Sequence, residues 1–221
     1  MLIDIFYDTV CPWSRIGKKH LFDALAQWQE EEINIRWHPL VLNNSIPRCG
    51  YNFRSFMQAR TGYGMKELQD LFEYMRRVGE VAGVKLNLNK IRLAVNSKLS
   101  HRLIAIAPKN IKNDIVEAIY QAYFEDGLNI GNIEVLVAIG TAYQMDSTKL
   151  RLQLSSDAPI NTFVAASTFT WLNGITSVPF FIINNKVNVE GSGSVEIFLE
   201  ALNRATFTYQ QKYDTKHQAK K

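Results

Sequence analysis

Leu2-Ile3-Asp4-Ile5-Phe6-Tyr7-Asp8-Thr9-Val10-Cys11-Pro12-Trp13-Ser14 is the stretch that decides the fold. Residues 2–7 read as a buried strand that Asp8-Thr9 ends. From Pro12 to about Gln29, Ile16, Leu21, Phe22, Leu25 and Trp28 fall at helical spacing. Pro12 suits a first helical position, where its missing N–H would have had no partner anyway. Ile33-Asn34-Ile35-Arg36-Trp37 then alternates again and Pro39 closes it. The chain therefore opens β-α-β, the unit that builds a parallel strand pair through a right-handed crossover.

Further on the period changes. From about Phe53 to Trp171 the patterns are almost all helical, with predicted helices over 65–82, 114–124, after Asn132 and over 158–172. Strand patterns return in Pro179-Phe180-Phe181-Ile182-Ile183 and Lys186-Val187-Asn188-Val189. Asn184-Asn185 between them suits a tight turn, since Asn tolerates the left-handed region. Ser194 is the expected N-cap of a last amphipathic helix. The predicted fold class is α/β: a βαβ…ββα mixed sheet interrupted by a large helical insertion, which the resemblance given below makes a thioredoxin fold. Its strand-rich ends must meet, because neither half covers its own sheet faces. The boundaries expected are 1–43 and 157–205 for the thioredoxin-like domain, 44–156 for the insertion and 206–221 for a flexible basic tail.

Composition excludes several classes. The 221 residues are 47% hydrophobic and 21% charged, ordinary for a chain with a real core. The net charge of +4 sits mostly in the tail, where Lys212, Lys216, Lys220 and Lys221 face one acid, Asp214. The body is then near neutral, which predicts no nucleic-acid partner. No apolar run is long enough to span a bilayer, and no export signal follows Met1, so a cytoplasmic protein without a membrane partner is expected. Two cysteines, Cys11 and Cys49, and four scattered histidines give no metal-ligand spacing, so no metal is expected.

Cys11 carries the chemistry. At the N-cap of a helix, unpaired backbone donors and the dipole's positive end favour a thiolate, and the thiolate is the nucleophile of disulfide exchange. On the residues alone, an inert cysteine that happens to precede a helix stands beside that reading. Cys49, in the turn-rich loop Ile46-Pro47-Arg48-Cys49-Gly50, reads as an unpaired loop cysteine, with a distant resolving thiol as the alternative.

Asp8-Thr9-Val10-Cys11-Pro12-Trp13-Ser14-Arg15-Ile16-Gly17-Lys18 resembles the opening of DsbA-like proteins of the FrnE group, which usually read CPWC there. The likeness continues through Arg36-Trp37-His38-Pro39-Leu40, Asn96-Ser97 with His101-Arg102-Leu103, and Tyr123-Phe124-Glu125-Asp126-Gly127, and ends with Gly174 to Ile183. It runs in family order over nearly the whole chain. It implies that Pro179 is a cis-proline opposite Cys11, exposing the Val178 backbone so that a peptide or glutathione can pair there as an added strand. Trp13 and Pro12 would flank that groove, Trp13 exposed or else packed on the insertion, with Asn96 and His101 lining the same cleft.

Ser14 departs from the family pattern. It removes the second thiol that resolves a mixed disulfide, while its hydroxyl can still donate to the Cys11 sulfur. The expected activity is monothiol thiol-disulfide exchange on protein or glutathione mixed disulfides, with Cys11 and Ser14 catalytic. No bound cofactor is expected; glutathione is the co-substrate the resemblance implies. Two alternatives stay open. One is a glutathione-dependent transferase or isomerase for small molecules, as in the related kappa-class glutathione transferases and hydroxychromene-carboxylate isomerases. Those hold glutathione with a serine at the position of Cys11, and kappa-class enzymes use a Ser-Asp pair that Glu190-Gly191-Ser192-Gly193-Ser194 lacks. The other is a non-catalytic peptide-binding module. Monomer and homodimer are both compatible with the sequence.

Overall fold

A computed structural model describes residues 1–28, 31–156, 158 and 160–218, leaving aside the side chains of residues 162 and 207–218. Strand β1 (Leu2–Tyr7) leads through helix α1 (Pro12–Gln27) to β2 (Asn34–Pro39), which lies parallel to β1. Strands β5 (Phe180–Ile183) and β6 (Val187–Glu190), both far downstream, complete a sheet of order β2-β1-β5-β6. β5 runs antiparallel to both β1 and β6. Asn184 and Asn185 take φ of 51° and 56°, so both turn residues sit in the left-handed region that a tight hairpin requires.

One face of the sheet is covered by α1 and by α9 (Val195–Gln218), which packs on α1, β5 and β6. Phe181 meets Phe198 of α9 edge-on at 4.8 Å, and both rings are fully buried. Each such burial contributes about 1.5–3 kcal/mol. Gly17 lets α1 approach this closely: a Cβ there would lie 3.0 Å from the Phe181 ring and 3.2 Å from Pro179. The other face is covered by α8 (Asn161–Leu172), whose Phe169 stacks on Phe6 and His38.

Between β2 and α8 lies the helical insertion expected from the sequence. It begins with a two-residue strand β3 (Tyr51–Asn52), helices α2 (Phe53–Thr61) and α3 (Met65–Val81), and a two-residue β4 (Leu93–Ala94) paired with β3. α4 (Lys98–Ile106), α5 (Lys112–Phe124), α6 (Ile133–Ala142) and α7 (Ser147–Ser155) follow. The β3–β4 ladder is too short to leave a periodic signal. Arg15, 2% exposed, fastens α1 to the insertion: it donates to the Lys85 carbonyl, Glu117 and Glu125 at 2.6–2.8 Å. Lys18 joins it on Glu117 at 2.5 Å. Burial raises the Glu117 carboxyl, but these two cations outweigh that and hold it below its ordinary value.

The fold is the α/β thioredoxin-like arrangement expected. The C-terminal segment differs from the expectation: α9 continues as helix through Gln218 instead of giving way to a flexible tail at 206. Gln29, the boundary residue 157 and the last three residues, with Lys220 and Lys221, lie outside the described residues. Among the described residues no helix is long and apolar enough to cross a membrane, and no three His, Cys, Asp or Glu residues cluster as a metal site.

Candidate active site

Cys11 is the N-cap of α1, extended at φ −93° and ψ 113°, with Pro12 in the first turn. Its carbonyl accepts from the Ser14 and Arg15 amides at 3.1 and 3.4 Å, and its own amide donates to the Asp8 carbonyl at 3.1 Å. The side chain makes no capping bond, so the sulfur is left for chemistry. The Val178–Pro179 peptide is cis, and the thiol points at the Val178 carbonyl 3.8 Å away. The short reach across Gly17 brings that loop to the helix start.

Cys11 is only 5% exposed. Burial pushes the Cys11 thiol above the ordinary cysteine value; the Ser14 hydroxyl and the Ser14 and Trp13 amides pull it down, while the Asp8 charge pushes it up again. The net direction is upward. Desolvation of the buried sulfur thus outweighs the donors at the helix start.

Ser14 is 2% exposed, and its hydroxyl accepts from the Asp8 amide at 3.4 Å while facing Cys11. Both cysteines are free; Cys49 is exposed on its loop while Cys11 is buried. Trp13 is half-buried against the core, the packed one of its two expected placements, and with Pro12 it lines a cavity beside Cys11. Two expected cleft residues do not reach that cavity. Asn96 gives its side-chain amide to the Asn44 and Ile46 carbonyls at 3.2 and 2.9 Å, and so tethers a loop. His101 is 1% exposed and lies behind the site, its Nε2 bonded to Asp8 at 3.1 Å and its Nδ1 buried without a partner.

Asp8 is the residue that sequence reasoning missed. Wholly buried, it accepts at one carboxylate oxygen from His101 and the Val10 amide, and at the other from the Leu42 amide at 2.8 Å. Its backbone binds Ser14, Cys11 and the Tyr120 hydroxyl. It therefore ties the helix start to the loop after β2 and to α4 and α5. The available signal is a lone acid between a strand and an N-cap cysteine, where a solvated turn residue is the ordinary reading. The cavity was also invisible beforehand. It holds about 260 Å³, with apolar walls from the 42–46 loop, α2, α3, β4 and α5.

A thioredoxin sheet, a cysteine at the first helix start and a cis-proline loop facing it define a thioredoxin-fold thiol protein with a helical insertion. The model of the DSBA-like thioredoxin domain matches residues 2–203, and the chain belongs to that family. It is 21% identical over 211 residues to the uncharacterised protein YwbO of Bacillus subtilis, covering 90% of this chain and 94% of that one. A probable DsbA oxidoreductase of Streptomyces coelicolor superposes with a TM-score of 0.84 at 22% identity, covering 93% and 89% of the two chains. The cytosolic disulfide reductase DsbM of Pseudomonas aeruginosa, solved with glutathione, gives 0.61 at 14% identity over 96% and 100%. Both likenesses are of fold.

Proposed function

We propose that this protein is a monothiol thiol-disulfide exchange enzyme in which Cys11 is the nucleophile and Ser14 its hydrogen-bond partner. The observation that carries this reading is the pairing of a helix-start cysteine with a buried serine, three residues on, whose hydroxyl faces its sulfur. Cys11 first gives its proton to solvent. The resulting thiolate attacks one sulfur of a disulfide R–S–S–R′, forming Cys11–S–S–R and releasing R′–S⁻, which takes up a proton. A second, external thiol such as glutathione then attacks the mixed disulfide and restores Cys11. The Ser14 hydroxyl and the amides of the first turn stabilise the thiolate in both directions. Membership of the family and the glutathione-bound neighbour support this reading; substrate and compartment stay part of the proposal, with a cytoplasmic protein the form favoured.

The apolar cavity favours a second reading, glutathione-dependent transfer or isomerisation on a small molecule. Its weakness is the 191–194 loop, which lacks a Ser-Asp pair and whose Ser192 and Gly193 carbonyls face His20 at 3.0 and 2.5 Å.

Three proteins decide between the two. Wild type incubated with a mixed disulfide of glutathione forms a Cys11 adduct, read by intact mass, and turns over only with added thiol. C11S forms none. S14C gains an internal disulfide on oxidation, seen as the loss of two hydrogens, and releases product without external thiol. Alkylation of Cys11 rises with pH to above the free-cysteine range of about 8.5. Activity retained in C11S overturns the exchange reading in favour of the second.

A further inference from the structure

We infer that the cavity beside Cys11 selects small disulfides whose reacting arm is apolar and carries an anionic group, with Arg60 as the counter-charge. This rests on the exchange reading and names the substrate class for it. At 5% exposure, Cys11 presents little surface to a disulfide on a folded protein, whereas it lines the cavity. Phe53, Phe56, Met57 and Met75 give that cavity apolar walls. Tyr123, also in the wall, has its hydroxyl turned onto the Leu93 carbonyl at 3.4 Å and so offers little to a ligand.

Size and chemistry narrow the occupant. An apolar cavity of about 150 Å³ accepts benzene, so 260 Å³ accepts a substituted ring or a short branched chain. A peptide would bury its amides there without partners, which is unfavourable. Met57 and Met75 are unbranched and adaptable, so the walls can fit more than one shape. Among the lining residues Arg60 is the one charged side chain, and none is acidic. It stands exposed in the last turn of α2, at the mouth, and pairs with no acid among the described residues. A carboxylate on the ligand would complete the pair while the ring stays inside.

The test uses the purified full chain and three disulfides, each rate divided by that of the same disulfide with free glutathione. The probes are dithiobis(nitrobenzoate), which is aromatic and carboxylated, neutral dipyridyl disulfide, and the aliphatic cation cystamine. The normalised order expected is carboxylated, then neutral, then cationic. In R60E the ratio of carboxylated to neutral rate falls by about three- to tenfold, the range for a half-exposed ion pair. M57W, which fills the cavity, slows both aromatic probes more than cystamine. Equal normalised rates for all three, or an unchanged ratio in R60E, overturn the selectivity while leaving Cys11 exchange standing. If intact mass shows no Cys11 adduct with any probe, the exchange reading itself falls and takes this inference with it.

Discussion

Asp4, inside β1, and Asp8, one residue past its end, are both wholly buried and both bonded to a buried histidine. Asp4 has more charge around it. Arg36, its direct partner across the β1–β2 ladder, grips both carboxylate oxygens at 2.6 and 2.8 Å while His38 takes one at 2.5 Å. Burial raises the Asp4 carboxyl, but the His38 and Arg36 bonds outweigh it and leave it below the ordinary value. The Arg36 side chain is 42% exposed, so water shares that charge. Asp8 has no arginine; backbone amides and His101 satisfy it, and its charge acts on Cys11. The same acid–histidine motif is thus a strand stitch where a cation completes it, and a scaffold for the reactive sulfur where amides do.

The largest effect expected from breaking this contrast is at Asp8. D8N leaves the Leu42 and Val10 amides and His101 imperfectly paired; at about 1–3 kcal/mol for each buried donor left without its acceptor, it lowers unfolding stability by about 3–5 kcal/mol, read by urea titration. In the fraction that folds, burial still holds the Cys11 thiol up, but the Asp8 repulsion is gone, so the alkylation profile moves to lower pH. A profile that stays put or moves up would contradict the role given to Asp8.

D4N comes next, at about 1–3 kcal/mol, the range for hydrogen bonds to a charged group. Because the folded value of Asp4 is depressed, its stabilisation is complete above the unfolded value of about 3.9 and is lost as pH falls through the lower folded one. The deficit of D4N against wild type, clear at neutral pH, therefore shrinks below about pH 4, and Cys11 alkylation is unchanged throughout. The smallest effect belongs to R36M, about 1 kcal/mol, since half-exposed pairs are screened. A deficit as large as that of D8N would mean that Arg36 is structurally far more important than its exposure implies.

Much of this was legible in the sequence. The β-α-β opening, the Asn184-Asn185 turn, the proline after Cys11 and the Ser194 cap, whose hydroxyl accepts from Ile197 at 3.4 Å, are all local signals. What was not legible depends on residues far apart. Two of the three partners of the Asp8 carboxylate lie 34 and 93 positions away, and Ser100 meets Thr9 across 91. The walls of the cavity are drawn from residues 10 to 124. The state of the Cys11 thiol follows from that covering: a helix start favours a thiolate by local rules, and only the insertion packed over it makes burial the larger influence. His101 was placed in the cleft for the same reason, since a single side chain does not announce which distant helix covers it.

The ion cluster at Arg15 divides the cavity mechanically. Through Glu117 and Glu125, the helix that carries Cys11 is held to α5, so the wall supplied by Tyr123 and Phe124 travels with the sulfur. The opposite wall, on α2, leans on α3 and the short β3–β4 ladder. The chamber thus has one wall tied by ion pairs to the helix bearing the reactive atom, and another, bearing Phe56, Met57 and Arg60, that rests on neighbouring packing alone.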